Sequence, residues 1–341
     1  MTIPMGKLNL TRRTFTGGLL LASIALLTGC PSPKDQAGKA TGKPAVRVAF
    51  FPNVTHAAAL YASSKGLFTK AIGDSAILEE RVFKAGPEEI EALFAGEVDL
   101  GYIGPGPAVN GYLKSKGEAL KIIAGAASGG TALVARKDVA ITSLKDLEGK
   151  RVAVPQTGGT QDISLRHALK TVGLMGRDKG GTVDVVQFAP SDTLMLFQRG
   201  ELDAAWLPEP WVARLESELG AKVVLEEKTL WPEGRFSTAV VIVRTEFLKS
   251  HPELIEKLLA AHKESVKAIQ AEPDAARLII GEKIKALTGK AIPDALLKTA
   301  LSRTEITDDT LKDSILTFAD WSKDLGYLRE SREALTGLFK D

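Results

Sequence analysis

The chain has 341 residues, 44% of them hydrophobic and 25% charged, with a net charge of +2. Those proportions describe a folded protein of about two domains and exclude a disordered or collagen-like chain. Three of the cations, Lys7, Arg12 and Arg13, sit in a leader without acids, so the remainder carries 2 − 3 = −1. That balance gives no electrostatic case for a nucleic-acid partner.

The first element is the leader. Arg12-Arg13 precede an apolar stretch from Leu19 to Leu27, too short to span a bilayer and of the length of a signal-peptide core, which places a signal peptide at 1–29. It ends in Leu27-Thr28-Gly29-Cys30, similar to the bacterial lipobox, in which the cysteine becomes the lipid-modified N-terminus. Thr11-Arg12-Arg13-Thr14-Phe15 also resembles a twin-arginine export signal, so the route stays open between that and general export. Cys30 is the single cysteine, and with it lipidated no thiol, disulfide or cysteine-based metal site remains. Residues 30–44, rich in Pro, Ser, Lys, Gly and Ala, read as a flexible tether.

From Val46 strands and helices alternate. A strand runs into the loop ending at His56, Ala57 to Ala62 opens a helix that ends near Gly66, and a strand at 76–83 precedes a helix at 87–95. Further strands are expected at Val98 to Ile103, Ile122 to Ala124, Arg151 to Val154 and Val183 to Phe188. Helices are expected at 143–147, 162–172 and 191–199, with Ser191 and Asp192 as starting residues. Such alternation argues for parallel-type sheets built from βαβ units. Thr131 to Arg136 and Thr238 to Arg244, both β-branched and ending in arginine, read as two crossings between lobes. After Arg244 the tail is helical, with Leu254, Leu258, Ala261 and Ile269 on one face and Trp321 and Tyr327 as packing residues against the first lobe.

Two motifs recur at one offset. Gly96-Glu97-Val98-Asp99-Leu100-Gly101-Tyr102-Ile103 ends in a lip, Gly104-Pro105-Gly106-Pro107. Gly200-Glu201-Leu202-Asp203-Ala204-Ala205-Trp206-Leu207 ends in another, Pro208-Glu209-Pro210-Trp211, 104 residues later. Arg47-Val48-Ala49-Phe50 and Arg151-Val152-Ala153-Val154 are also 104 apart. The chain therefore reads as two similar α/β lobes, with Tyr102 and Trp206 as core. Each lip is a strand-to-helix junction whose free N–H groups favour negative charge.

The loops at 51–56, 104–107, 128–131, 157–162, 190–192 and 208–211 contain no lysine or arginine. An anion held there would rely on backbone amides and on neutral groups of Asn53, Thr55, Ser128, Thr131, Thr157, Gly158, Gly159, Thr160, Gln161 and Ser191. His56 ends a lip loop and is a ligand candidate; His167, within a helix, reads as a packing residue. Asp162 and Glu209 interrupt the neutral set. They could accept from an ammonium or amide on the ligand, or cap helices, with Arg166 a partner for Asp162. An acid/base enzyme using Asp162, Glu209 and His56 is the alternative, although no nucleophile accompanies them. Phe51, Trp211 and Trp231 could line an apolar part of the pocket. The four histidines have no metal-ligand spacing, and no phosphate-binding, dinucleotide or Gly-x-Ser-x-Gly pattern occurs, so no metal or cofactor is expected.

The lipobox leader, the Gly-Glu-Val-Asp-Leu-Gly-Tyr-Ile-Gly-Pro-Gly-Pro run, Ser143 to Pro155 and Phe247-Leu248-Lys249-Ser250-His251-Pro252-Glu253 together resemble the substrate-binding proteins of bacterial ABC importers, in the branch for aliphatic sulfonates, taurine and nitrate. The resemblance implies a type II periplasmic-binding fold: two α/β lobes joined by two crossing strands, with a helical C-terminal tail. Lobe 1 would be 45–131 with 239–341, and lobe 2 would be 132–238. It further implies an exported, lipid-anchored, monomeric and non-catalytic receptor for a small organic anion, working with a permease and its ATPase. Carried over by position, Gly104, Pro105 and Gly106 would contact the anion from one lobe and Gly158, Gly159 and Thr160 from the other. Glu209, beside Trp211, falls near the acid that grips an amine in taurine-type members, in a local sequence that differs from theirs. Pro52-Asn53-Val54-Thr55-His56 is also similar to a segment of binders of thiamine pyrimidine precursors, which keeps nitrate and such pyrimidines as alternative ligands.

Overall fold

The computed structural model describes residues 42–340. The expected leader, the lipidation site Cys30 and the tether up to residue 41 lie outside the described residues. In chain order, β1 (Ala45–Phe50), β2 (Ile77–Val82), β3 (Leu100–Ile103) and β4 (Leu120–Gly129) enter a first sheet. Next, β5 (Thr131–Ala135), β6 (Arg151–Val154), β7 (Asp184–Gln187), β8 (Ala204–Pro208) and β9 (Lys222–Glu226) form a second, and β10 (Ser237–Arg244) and β11 (Thr304–Ile306) return to the first. The helices are α1 (Ala57–Ser64), α2 (Leu67–Ile72), α3 (Gly86–Phe94), α4 (Pro105–Lys114), α5 (Thr160–Thr171), α6 (Pro190–Gln198), α7 (Trp211–Leu219), α8 (Thr245–Ser250), α9 (Pro252–Ala271), α10 (Pro273–Thr288), α11 (Asp294–Ser302) and α12 (Lys312–Asp324).

The two sheets run β2-β1-β3-β10-β4-β11 and β7-β6-β8-β5-β9, so their first five strands correspond one to one. The repeat seen in the sequence is a repeat in register. Val48 and Ala49 pair with Leu100 and Gly101, and Val152 and Ala153 pair with Ala204 and Ala205. The motif aspartate does the same work twice: the Arg47 N–H donates to Asp99 Oδ2 at 2.9 Å, and the Arg151 N–H donates to Asp203 Oδ2 at 2.9 Å. Gly96 and Gly200 stand after α3 and α6 with φ of 72° and 73°, the left-handed geometry that stops a helix and favours glycine.

β5 and β10 each lie wholly within one sheet, so the chain passes between the sheets just before them: at Gly130, which follows β4 at positive φ, and over residues 227–236 between β9 and β10. The buried positions of β1, β3 and β10 meet α1 and α9 in one apolar cluster, while β6 and β8 pack on α5 in another. Each fully buried Val, Leu or Ile there contributes about 1.5–3 kcal/mol. Tyr102 and Trp206 are both fully buried.

Helix α6 starts at Pro190 rather than Ser191, with the proline near its N-terminus, where the missing N–H costs no hydrogen bond. In the tail, α9 packs on the first sheet and α10 on α1 and α9, but α12 reaches the second half. Trp231 lies 4.9 Å from Phe318 and 4.5 Å from Trp321, ring to ring, and Trp321 stacks on His167 at 3.8 Å. Trp231 thus belongs to an aromatic cluster away from the lips. No helix among the described residues is long and apolar enough to cross a membrane.

Candidate functional site

The carboxyl ends of parallel strands are where connecting loops separate and leave room for a ligand. Here the loops after β1, β2 and β3 face those after β6, β7 and β8 across a cavity of about 40 Å³. Phe51, Asn53, Thr55 and His56 follow β1, Lys84 to Pro87 follow β2, and Gly104 and Pro107 follow β3. From the other half come Pro155, Gln156, Gly159, Thr160 and Gln161 after β6, Pro190 after β7 and Pro208 at the end of β8, with Thr238 of β10 at the seam. A water needs about 10–15 Å³ by this measure, so the cavity takes roughly three waters or one compact polar group.

The two halves touch around it. The Trp211 indole N–H donates to Asn53 Oδ1 at 3.0 Å, the Gly106 N–H to Thr160 Oγ1 at 3.3 Å, and the Asn110 amide to the Gly158 carbonyl at 3.3 Å. Gly106 is a glycine for lack of space: a Cβ there would lie 2.9 Å from Ile163 Cδ1 and 3.2 Å from the Thr160 Cα. The lips can approach this closely only while that side chain is absent.

His56 is 3% exposed, and its ring stacks on Phe51 at 4.4 Å. The Phe51 N–H donates to its Nδ1 at 3.2 Å, so Nδ1 carries no proton and the neutral ring bears its hydrogen on Nε2. Burial lowers its pKa to about 3, which keeps it neutral at ordinary pH. Thr55, Gln156 and Gln161 line the same cavity, and their side chains have no hydrogen-bond partner among the described residues. The cavity therefore offers uncharged donors from both halves. Aimed at an anion, such hydrogen bonds are each worth about 1.5–3 kcal/mol.

Other expected residues are elsewhere. Ser128 Oγ accepts from the Phe236 N–H, and the Thr131 hydroxyl donates to Glu227, a buried carboxylate that also accepts from Ser164 and the Trp206 indole. Asp162 is fully buried and accepts from Arg166, the Gly158 N–H and the Tyr327 hydroxyl, a structural role in starting α5. Glu209 turns its carboxylate inward, accepting from the Ala213 N–H at 3.0 Å and from Arg303 at 3.1 Å. Burial raises its pKa, with these donors acting against the rise. Pro105, Gly106, Gly158 and Trp211 frame the seam without lining this cavity. His56, Asp162 and Glu209 share no partner, so the geometry assembles no acid/base pair.

Gln156 is one cavity residue the sequence reading missed, and Lys84 is another. Lys84 is exposed at the cavity rim and forms no ion pair among the described residues. Its signal was legible: Phe83-Lys84-Ala85-Gly86-Pro87 is another strand-to-helix junction with a proline near the start of the helix.

The model of the NMT1-like family matches residues 39–281. The chain belongs to the NMT1-like family. Among relatives of this NMT1-like chain, a binding protein of Brucella abortus (strain 2308) is 32% identical over 214 residues, 62% of this chain and 63% of that one. The taurine-binding periplasmic protein of Escherichia coli (strain K12) is 30% identical over 213 residues, 62% of this chain and 63% of that one. The match thus spans 63% of the length of those curated relatives. The alkanesulfonate-binding protein SsuA from Xanthomonas axonopodis pv. citri bound to MOPS superposes with a TM-score of 0.70 at 18% identity, covering 85% of this chain and 96% of that chain. That likeness gives the NMT1-like chain a periplasmic-binding fold.

Proposed function

We propose that this NMT1-like chain is a non-catalytic solute receptor of an ABC importer that captures a small organic anion of the sulfonate class and presents it to a permease with its ATPase. The observation that carries the reading is the cavity between the halves, lined by Thr55 and His56 from one and Gln156 and Gln161 from the other, all residues with uncharged donors. A solute can drive closure only through contacts that improve on closing, and donors on both sides meet that condition. Inside the cavity neutral donors hold the anion, and Lys84 at the rim is the one cation among the lining residues.

The moving bodies in this proposal are lobe 1, residues 45–131 with 239–341, and lobe 2, residues 132–238. The protein is exported, and lipidation at Cys30 with a tether keeps it near its transporter, raising the local concentration there. The names of the taurine-binding and alkanesulfonate-binding relatives support the ligand class. Calorimetric titration of the leaderless protein with methanesulfonate, taurine, nitrate and a thiamine-type pyrimidine tests it. Saturable one-to-one binding of a sulfonate is expected. Binding of only the pyrimidine or nitrate would remove the sulfonate assignment, and chemical conversion of bound solute would remove the receptor.

A further inference from the structure

A second cavity, of about 370 Å³, adjoins the first and shares Asn53, Lys84 and Pro190 with it. Its walls come from both halves: Val82, Phe83 and Leu287 on one side, Leu194, Met195 and Trp211 on the other. Val82 and Met195 are 46% and 48% exposed, large apolar groups left uncovered at its mouth. An apolar cavity of about 150 Å³ holds a benzene ring, so this one has room for a ring or a medium-length alkyl chain.

Its charges are one-sided. Lys84, Lys290 and Arg214 stand on the wall and no carboxylate does. Arg214 is paired with Glu218, while Lys84 and Lys290 form no ion pair among the described residues. The two acids that could have gripped an ammonium, Asp162 and Glu209, are buried in protein hydrogen bonds. An aminoalkyl tail entering here would meet like charge and no acceptor of opposite sign.

We propose that this outer chamber is the second half of the solute site and takes the apolar body of an aryl or medium-chain alkyl sulfonate whose head sits in the inner cavity, and that it discriminates against amine-bearing sulfonates such as taurine. The inference rests on the sulfonate reading of the inner cavity. Because both halves line the chamber, the body adds to closure as well as to affinity. Each methylene buried there tightens binding by about fourfold.

The test is calorimetry on the leaderless protein with methanesulfonate, hexanesulfonate, 6-aminohexanesulfonate and benzenesulfonate. Hexanesulfonate and benzenesulfonate are expected to bind at least ~30-fold more tightly than methanesulfonate, and 6-aminohexanesulfonate at least ~10-fold more weakly than hexanesulfonate. Val82→Asp and Met195→Asp, one from each half and both at exposed positions, should lower the ratio of benzenesulfonate to methanesulfonate affinity by ~10-fold or more. Equal affinity for methanesulfonate and hexanesulfonate, or equal affinity for the amine and its parent, overturns the chamber while leaving the sulfonate receptor standing. Failure of every sulfonate to bind overturns both.

Discussion

The two lips occupy equivalent places in the two sheets and have taken opposite uses. After β3, Gly104 and Pro107 line the inner cavity, and Gly106 lets the opposite half come within contact. After β8, 104 residues on, Glu209 folds its carboxylate into a hydrogen-bonded knot with Ala213 and Arg303, and only Pro208 faces the cavity. What stayed alike is the strand pairing and its aspartate; what diverged is the loop. A repeat of this kind reports the scaffold faithfully and the site poorly.

The scaffold side of that comparison can be broken first. Asp99 is fully buried between the Arg47 amide and the Arg244 guanidinium at 2.7 Å, whereas the Asp203 side chain is 28% exposed, with its nearest guanidinium, that of Arg136, at 3.9 Å. Asp99→Ala should therefore cost about 3 kcal/mol of unfolding free energy and Asp203→Ala about 1 kcal/mol, measured by urea denaturation. Equal costs would show that the shared hydrogen bond, rather than burial, sets the contribution.

The lips themselves differ next. Gly106→Val should weaken solute binding by about 30-fold, roughly 2 kcal/mol, because its methyls collide with the Thr160 backbone and hold the halves apart. Glu209→Gln should leave affinity within about threefold and cost about 1 kcal/mol in stability. The reverse pattern would return Glu209 to the ligand.

The smallest effect is in pH. The folded pKa of His56, about 3, lies below its unfolded value near 6.5, so within that window the unfolded chain binds a proton that the folded chain does not. Stability should fall as pH is lowered from about 6.5 towards 3, and His56→Gln should flatten part of that slope in thermal melts. His262, lowered by burial to about 4, contributes in the same direction and remains in the variant.

Much of the fold was legible because it is written in local patterns: the helix-stopping Gly96 and Gly200, the paired Asp99 and Asp203, and the apolar strands between them. The uncharged lining residues Thr55, His56, Thr160 and Gln161 were legible too, since they follow the ends of strands. Side-chain direction was not. Ser128 and Thr131 are strand residues of β4 and β5, and Asp162 lies in the first turn of α5 rather than on a loop; with Glu209 they point to partners far off in sequence, Glu227, Tyr327 and Arg303 among them, which no spacing announces. Lys84 escaped for a different reason: the equivalent junction after β7, Phe188-Ala189-Pro190, carries no cation.

The central claim is that one solute is held by donors from both halves at once. Titrating methanesulfonate into Thr55→Ala, which removes a hydroxyl from the first half, and Gln161→Ala, which removes an amide from the second, tests it most directly. Each substitution is expected to weaken binding about tenfold, the loss of one hydrogen bond to an anion. Full affinity in either variant would mean that its half of the molecule does not hold the solute, and the account would fail.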